Sequence, residues 1–379
     1  MSLNRKINIL MVTPQLSVGG AESQVVQLAT FLAERGHQIV IYSKGGKLEE
    51  HIRGDKIRSI HGPIHSKTPL NLLRSYIDII KIITGYKIDL IHCHAAIPSI
   101  LCWAAKCKFR KPVITTGHGW PQNKVWMISR ILNLTSDRII AISNQLFTEY
   151  VKNGVNPSRI SVVHNAIDVN KYEAIDSIAT RNFRLKYNLG DADIVIGLVA
   201  RMRDYRKGHV LAIDGLKDII SKHQNAKLLL VGDGLVCSDI KKYVAHHQLD
   251  QNVIFAGEQS DMPIVYSSLD IVVLPSEQEG LPIVLLEGMA SGKPVVASHI
   301  DGVVDVVVDG ETGFLFPKND QKELVKKLTA LIISPQLREA MGAKGKLRVR
   351  KYFSIQVNFK KIEDLYYESI VEKNPSNTR

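Results

Sequence analysis

Two carboxylates, Glu279 and Glu287, lie eight positions apart in a segment that is otherwise mostly apolar. Gly280, Leu281 and Pro282 follow the first of them directly. Proline has no N–H to donate, so it suits the first turn of an α-helix. A helix that begins at Gly280 or Leu281 leaves Glu279 in the preceding loop and carries Glu287 about two turns along.

The residues before Glu279, from 270 to 276, form an apolar run that predicts a short buried strand. Glu279 then lies at the carboxyl end of that strand, where the free N–H groups of a helix N-terminus favour an anion. A phosphate group suits such a place. A carboxylate beside a helix start is also a common cap, so this segment alone leaves both interpretations open.

Cationic side chains follow another predicted strand, 194–199. Arg201 and Lys207 could flank a diphosphate there, because arginine offers a planar fork of donors and lysine a point charge. Arg203 and Arg206 lie close by and are interpreted as solvent-facing neighbours. When a bond to a phosphate group breaks, the departing group gains negative charge, which preplaced cations stabilise.

Two further motifs follow predicted strands near the start of the chain. Gly19 and Gly20 precede a predicted helix, so their bare backbone N–H groups could approach a diphosphate or an acceptor molecule. A tight turn that requires glycine would give the same pattern. His118 stands between two glycines directly after a strand, which places it on a loop rather than in the core.

The elements that position these residues alternate between strand and helix, which predicts parallel sheets with right-handed crossovers. Ligands of such sheets bind beyond the carboxyl ends of the strands. The predicted strands are 7–12, 38–42, 89–92, 112–115, 138–142 and 160–163 in a first series, and 194–199, 227–231, 253–255, 271–274 and 294–297 in a second. The predicted helices, besides the one after Glu279, are 21–35, 69–87, 97–106, 124–134, 144–152, 208–221, 236–247, 261–268, 322–333, 337–349 and 355–371.

Seven motifs occur in one order between Lys6 and about Ser354: Gly19-Gly20-Ala21-Glu22, Thr116-Gly117-His118-Gly119, Ala141-Ile142-Ser143, Val163-His164-Asn165-Ala166-Ile167-Asp168, Arg201 with Arg206-Lys207-Gly208, Val231-Gly232-Asp233-Gly234, and the Glu279–Glu287 segment. In this ordered set the sequence resembles the retaining family 4 glycosyltransferases, which share the two-domain GT-B fold. His164 and Ala166 depart from the family's usual proline and glycine, at the hinge between the domains.

The resemblance implies an α/β protein of the GT-B class, with two Rossmann-like parallel-sheet domains facing each other across a cleft. Residues 1–168 would form the acceptor-side domain and residues 169–354 the domain that binds the nucleotide sugar. Residues 355–379 would form a helix that crosses back to the first domain, with a frayed tail.

The resemblance also implies a retaining transferase that takes its sugar from a nucleoside-diphosphate sugar, UDP being the commonest nucleotide in the family. Arg201 and Lys207 would stabilise the leaving group, His118 and Glu279 would contact the transferred sugar, and Glu287 would bind the ribose hydroxyls. The remaining donor-binding positions would be Gly19, Gly20, Gly232, Gly280, Leu281, Pro282 and Ile283. Retention by same-face attack or by double displacement stays open.

No cofactor or metal is implied by the resemblance. Asp191 and Asp193 match an Asp-x-Asp metal pattern of another glycosyltransferase fold, but they precede a predicted strand at its amino end, away from the expected site. His92, Cys93 and His94 could suggest zinc. Along a strand, however, the two histidines point one way and the cysteine the other, so three ligands do not converge.

The net charge of +12 lies entirely in the first 165 residues, which hold 21 Lys and Arg against 9 Asp and Glu, whereas the rest hold 28 of each. Lys106, Lys108, Arg110 and Lys111 contribute to this excess. An anionic membrane surface, or a lipid-phosphate acceptor lying in one, fits the charge better than nucleic acid, because no nucleic-acid-binding motif accompanies it. A merely basic surface is the simpler alternative.

The helix 69–87 has a wide apolar face, which would either pack into the first domain or dock on a membrane. Four cysteines, no signal peptide and no membrane-spanning run predict a cytoplasmic protein, peripheral on the inner face of the membrane. The resulting hypothesis is transfer of a sugar to a lipid-linked glycan in cell-surface polysaccharide synthesis. The alternatives are a same-fold transferase with a small soluble acceptor, a GT-B nucleotide-sugar epimerase and a nucleic-acid binder.

Overall fold

The computed structural model describes residues 5–17, 19–52, 54–66, 68–119, 124–173 and 175–373. The chain divides into two compact units. One comprises the chain up to Ala166 together with the chain from Ile355 onwards, and the other comprises Ile167–Ser354. Each unit is built on a parallel sheet with helical crossovers, which confirms the predicted α/β class of two Rossmann-like domains.

The sheet of the first unit has seven described strands in the order β3-β2-β1-β4-β5-β6-β7. They are β1 (Asn8–Val12), β2 (Gln38–Ser43), β3 (Ile57–His61), β4 (Leu90–Cys93), β5 (Val113–Gly117), β6 (Arg138–Ala141) and β7 (Ile160–Val162). Five helices follow in the crossovers: α1 (Gly20–Glu34), α2 (Pro69–Gly85), α3 (Ala96–Phe109), α4 (Val125–Thr135) and α5 (Asn144–Lys152). The sequence did not predict β3, because this edge strand contains no fully buried residue and so shows little apolar pattern.

The sheet of the second unit has six described strands in the order β10-β9-β8-β11-β12-β13. They are β8 (Ile194–Val199), β9 (Ala226–Val231), β10 (Val253–Gly257), β11 (Ile271–Leu274), β12 (Val295–Ser298) and β13 (Gly313–Phe316). Its helices are α6 (Ser177–Lys186), α7 (His209–Ile220), α8 (Cys237–His246), α9 (Met262–Ser267), α10 (Ile283–Ala290), α11 (Gln321–Ile333) and α12 (Pro335–Tyr352). The strand β13 and the helix α6 are the elements that the sequence did not predict here.

The helix α13 (Ile355–Lys373) belongs to the first unit although it follows the second along the chain. It packs beside α1, and its Phe359, Ile362 and Tyr366 enter the core formed by α1 and the strands β1, β2 and β4. The helices α2 and α3 cover the opposite face of the same sheet. Within the described ranges, no helix combines the length and the apolar character needed to cross a bilayer.

Candidate functional site

In the second unit, Glu279 lies on the loop between β11 and α10, as the sequence predicted. The Nζ atom of Lys207 donates a hydrogen bond to Oε1 of Glu279 at 2.7 Å. The Glu279 side chain is 9% exposed and that of Lys207 34% exposed, so the ion pair is largely shielded from water. Two residues from separate sequence motifs, 72 positions apart, thus meet in one site.

The helix after Glu279 begins later than predicted, and the predicted start at Gly280 or Leu281 is wrong. The first helical residue is Ile283. Pro282 has an extended backbone, with ψ of 110°, so it precedes the first turn instead of lying within it. The carbonyl oxygen of Gly280 lies so close to Gly302 that a Cβ there would be 2.1 Å from it, so this part of the loop packs tightly against the backbone of Gly302. Glu287 is therefore the fifth residue of α10, in its second turn.

Glycines allow the loops at the carboxyl edge of this sheet to pack backbone against backbone. Gly208, with φ of +72°, comes so close to the loop after β11 that a Cβ would lie 2.1 Å from the Pro275 carbonyl oxygen. A Cβ on Gly232, with φ of +128°, would lie 2.2 Å from the Ala200 oxygen. Only glycine fits these positions, because a side chain would be both strained and in collision. The candidate residue Gly232 thus positions the loop that carries Arg201.

Arg201 is exposed on the loop between β8 and α7, and its backbone position is fixed by its neighbour Met202. Met202 is fully buried; its N–H donates to the Asp233 carbonyl and its own carbonyl accepts from the Val236 N–H, each at 2.9 Å. In the part of the chain that the structure describes, the Arg201 guanidinium forms no hydrogen bond or ion pair. Because its backbone is held in place and its guanidinium has no polar partner among the described residues, Arg201 is able to bind an anion.

Glu287 is held by two tyrosines of the same unit. The hydroxyls of Tyr172 and Tyr266 donate to its two carboxylate oxygens, each at 2.9 Å. Burial raises the pKa of Glu287, and the two tyrosine hydrogen bonds partly offset this by stabilising the ionised form. Burial also raises the pKa of both tyrosines, so they remain neutral donors.

In the first unit, His118 follows β5 and stacks on His94, with ring centroids 5.6 Å apart. The Nε2 atom of His118 lies 3.3 Å from Nδ1 of His94. The ring of His94 lies 4.1 Å from that of His92, whose nitrogens contact the Tyr366 hydroxyl at 2.6 Å and the Thr116 hydroxyl at 2.7 Å. The outer nitrogens of the pair, Nε2 of His94 and Nδ1 of His118, are buried with no partner among the described residues.

Burial keeps these three imidazoles neutral near pH 7. It lowers the pKa of His92 to about 3 and that of His118 to about 4, and it lowers the pKa of His94 as well. Neutral imidazoles each carry one donor and one acceptor nitrogen. These three side chains, the histidine row, can therefore bind hydroxyl groups by hydrogen bonds, and they contribute no positive charge for a phosphate.

Gly20 begins α1, and Gly19 precedes it with an extended backbone, φ of 179°, that any residue can adopt. The carbonyl of Gly19 accepts from the Ser23 N–H at 2.8 Å, as expected at a helix start. Val18 lies outside the described residues. The contact of this turn with a donor or acceptor stays a prediction.

The two metal patterns are explained by local contacts. Asp193 directly precedes β8 and accepts a hydrogen bond from the Gly190 N–H at 2.7 Å, so it closes a turn at the amino end of the strand. Cys93 packs into the core on the face of the sheet opposite the histidine row. Within the described ranges, no group of three or more His, Cys, Asp or Glu side chains could hold a metal ion.

The basic excess remains with the first unit, because residues 355–379 hold four residues of each sign. The prediction that Lys106 contributes to a basic surface is wrong. Its Nζ pairs with Asp137 at 2.8 Å and its side chain is 16% exposed, so its charge is neutralised inside the unit. Lys108 and Arg110 are exposed and Lys111 is half-buried.

Exposed large apolar side chains in this unit occur only on α2, α3 and α4, among the residues that the structure describes. These three helices lie side by side along one face of the sheet. The exposed residues are Leu70, Leu73, Ile77, Ile97, Ile100, Trp126, Met127 and Leu134. The buried residues of α2 show that its inner face packs into the core, as one of the two alternatives predicted. Docking of its outer face on a membrane stays a prediction.

Sequence reasoning missed Tyr172, Tyr266 and the involvement of His94. Tyr172 lies 115 residues before Glu287 and Tyr266 lies 21 before it, so neither spacing follows a helix or strand period. Their only signal is that they are large polar aromatic residues at buried positions, where a hydroxyl needs a partner. His94 was noted in the sequence, but its contact with His118 depends on the pairing of β4 with β5.

Two family models and several known proteins match this chain along most of its length. Residues 18–171 match the family model described as Glycosyltransferase Family 4, and residues 180–348 match the model described as Glycosyl transferases group 1. The N-acetyl-alpha-D-glucosaminyl L-malate synthase of Bacillus anthracis is 26% identical over 372 residues, covering 94% of this chain and 96% of that protein. The UDP-Gal:alpha-D-GlcNAc-diphosphoundecaprenol alpha-1,3-galactosyltransferase of Escherichia coli is 25% identical over 392 residues, covering 98% and 100%.

The fold is also found in solved structures. The crystal structure of Anabaena HepE in complex with UDP-glucose matches with a TM-score of 0.83 at 21% identity, covering 96% of this chain and 100% of the other. The two units thus have the GT-B fold. The chain belongs to the family 4, or group 1, glycosyltransferases.

Proposed function

We propose that this glycosyltransferase takes its sugar from a UDP-sugar, with retention and without a required metal, and transfers it to a lipid-linked glycan at the cytoplasmic face of a membrane. The product would serve cell-surface polysaccharide synthesis. The observation that carries the donor half of the proposal is the contact between Lys207 and Glu279 at the carboxyl edge of the second sheet. Lys207 lies on the same loop as Arg201, whose guanidinium has no polar partner among the described residues.

The cationic residues account for the leaving group. Arg201 supplies a positive charge where a departing diphosphate would develop negative charge, and Lys207 supplies an ammonium group whose charge Glu279 partly balances. The N-terminus of α10, beginning at Ile283, adds free backbone N–H groups and a positive dipole end. These groups provide the charge stabilisation for which other transferases use a metal ion, which is the basis for proposing metal independence.

Glu279 would receive hydroxyl groups of the transferred sugar. Its contact with Lys207 brings the proposed sugar ligand next to the proposed phosphate ligand, as a sugar bonded to a diphosphate requires. Gly280, Leu281 and Pro282 would offer backbone groups to the same donor. His118, with its neutral imidazole, would contact the transferred sugar by a hydrogen bond.

The donor half is tested with a thermal-shift panel of UDP-, GDP- and ADP-sugars, followed by a turnover assay with excess EDTA. We expect UDP-sugars to stabilise the protein most, activity to survive chelation, and the anomeric configuration of the product, read by NMR, to match that of the donor. Stabilisation by GDP- or ADP-sugars alone would overturn the choice of nucleotide. Loss of activity restored by Mg²⁺ or Mn²⁺ would contradict metal independence.

The acceptor half is supported by the outer face of α2, α3 and α4. Exposed apolar side chains on that face accompany the unbalanced positive charge of the unit. An anionic membrane surface attracts each nearby basic residue by about 1 kcal/mol, and apolar side chains add buried area. The name of the Escherichia coli relative contains a lipid diphosphate, which combines negative charge with an apolar chain as an anionic membrane surface does.

Binding to anionic vesicles should weaken as salt rises to physiological strength and above, where screening shortens to ~8 Å. Reversing the charges of Lys108, Arg110 and Lys111 should weaken pelleting without abolishing hydrolysis of the donor. The matched control reverses Lys242, Lys318 and Lys344, which are exposed on the other unit, and should pellet as the wild type does. Pelleting is measured with neutral and anionic vesicles in parallel.

A small soluble acceptor is the second candidate, favoured by the malate acceptor in the name of the Bacillus anthracis relative. Equal pelleting with neutral and anionic vesicles, or none with either, would favour this candidate over the lipid-linked one.

A further inference from the structure

The contact between Glu287 and its two tyrosines brings together three separate elements of the second unit. Tyr172 ends the short helical turn Val169–Tyr172, Tyr266 lies on α9, and Glu287 lies on α10. Each tyrosine hydroxyl donates to a different carboxylate oxygen, both at 2.9 Å. The carboxylate is therefore held at both oxygens and has a fixed orientation.

The negative charge of Glu287 is balanced differently from that of Glu279. Among the described residues, no lysine or arginine lies within ion-pair distance of Glu287, whereas Glu279 pairs with Lys207. Tyr172 is 8% exposed and Tyr266 is fully buried, so neither hydroxyl is satisfied by bulk water. The two tyrosine hydroxyls each take one acceptor position of Glu287 and leave its charge without a counter-ion among the described residues. Hydroxyl donors leave it free to accept more hydrogen bonds.

The number of acceptor positions decides what else Glu287 can bind. An ionised carboxylate has about four lone-pair positions, two on each oxygen. The tyrosines occupy one on each oxygen, which leaves one on each. Glu287 is half-buried as a residue, so the protein does not enclose it completely. Two acceptors on one carboxylate match two adjacent hydroxyl donors, which is the chemistry of a vicinal diol.

We propose that Tyr172 and Tyr266 are positioning residues that hold Glu287 to accept both ribose hydroxyls of the donor nucleotide, and that they thereby select ribonucleotides over 2′-deoxyribonucleotides. This inference rests on the proposed function, since it takes the donor to be a nucleoside-diphosphate sugar. It adds two residues and a specificity that follow from the hydrogen-bond pattern of this chain.

The test measures the affinities of UDP and 2′-deoxy-UDP by calorimetry for the wild type, Tyr172→Phe and Tyr266→Phe. We expect the wild type to prefer UDP by about 10-fold or more, because a hydroxyl that donates to a charged acceptor is lost in the deoxynucleotide. In each variant UDP should bind about 10-fold more weakly, while 2′-deoxy-UDP changes much less. The preference should therefore shrink.

Tyr243→Phe is the matched control. The Tyr243 hydroxyl donates to a carboxylate oxygen of Asp214 at 2.7 Å in the same unit, which is the same kind of contact. Neither residue is assigned a role in the site. This variant should keep the wild-type preference for UDP. In the turnover assay, the Tyr172 and Tyr266 variants should raise KM for the donor with kcat within about 3-fold of wild type, as expected for lost binding alone.

An unchanged ratio of UDP to 2′-deoxy-UDP affinity in both folded variants would overturn the tyrosine inference and leave the proposed function standing. A wild type that binds no nucleoside diphosphate would overturn the proposed function, and this inference with it. Tyr266 is fully buried, and if its variant does not fold, Tyr172→Phe at the more accessible position decides the question. The phenyl ring preserves the edge contact between the two rings, whose centroids lie 6.2 Å apart.

Discussion

Replacing Arg201 or Lys207 by alanine should lower turnover by about 100-fold or more at saturating donor, with the fold intact. Loss of one preorganised charge that stabilises a leaving group costs on the order of 3 kcal/mol in the transition state. Arg201 is exposed and uncommitted among the described residues, so its removal disturbs no other contact. The assay is steady-state release of the nucleoside diphosphate, with circular dichroism as the check on folding.

Arg203→Ala is the control, because Arg203 lies on the same loop with its side chain 72% exposed. It should retain turnover within about 3-fold of wild type, as surface substitutions usually do. Lys207→Ala has a second effect, since it leaves the shielded Glu279 carboxylate without its cation. The double variant Lys207→Ala with Glu279→Gln leaves no uncompensated charge, so recovery of the free energy of unfolding relative to Lys207→Ala, measured by urea titration, identifies this second effect. Near wild-type turnover in both single variants would mean that the leaving group is stabilised elsewhere.

Acidification should destabilise the first unit before its carboxylates titrate. Burial lowers the pKa of His92 to about 3 and that of His118 to about 4, from an ordinary value of 6.5. A group whose pKa is lowered on folding binds fewer protons in the folded state. It therefore contributes its full stability above pH 6.5 and loses that stability as the pH falls towards the folded value. His94 adds to the effect in the same direction.

The free energy of unfolding, measured by urea titration, should fall steadily between pH 6.5 and 4. Each pH unit below the ordinary pKa costs about 1.4 kcal/mol for a histidine that stays neutral, so His92 alone accounts for at most about 3 kcal/mol over this range. His92→Gln should flatten this slope. Thr116→Val, which removes the hydroxyl 2.7 Å from His92 and keeps every histidine, should lower stability and keep the slope. A wild type whose stability is constant between pH 7 and 5 would contradict buried neutral histidines.

The central strands could be predicted from sequence because they are continuous apolar runs. Strands such as β8 and β11 are buried on both faces, and their ends fall at the predicted residues. The edge strand β3 and the strand β13, which begins with Gly313, give no such run. Burial produces the apolar pattern, and an edge position or a glycine weakens it.

The sequence placed the candidate residues on loops after strands and on the helix that follows, and their binding role stays a prediction. Arg201, Lys207 and Glu279 follow β8 and β11, and the neighbouring position of those strands brings Lys207 to Glu279. The predicted orientation of His92 and His94 towards one side agrees with their ring contact at 4.1 Å. The partners of Glu287 depend on how α9 and α10 pack, and no local spacing encodes that packing.

The position of α13 also has a consequence for how the protein is made. A ribosome delivers the chain from its N-terminus at roughly 5–20 residues per second. The strands β1 to β7 are delivered first, but Phe359, Ile362 and Tyr366 of their core are delivered only after the whole of Ile167–Ser354. The second unit is continuous along the chain and can complete its core while the first still exposes apolar surface on the side of α1. We expect the order of folding to invert the order of synthesis, with nascent chains depending on chaperones until α13 is released.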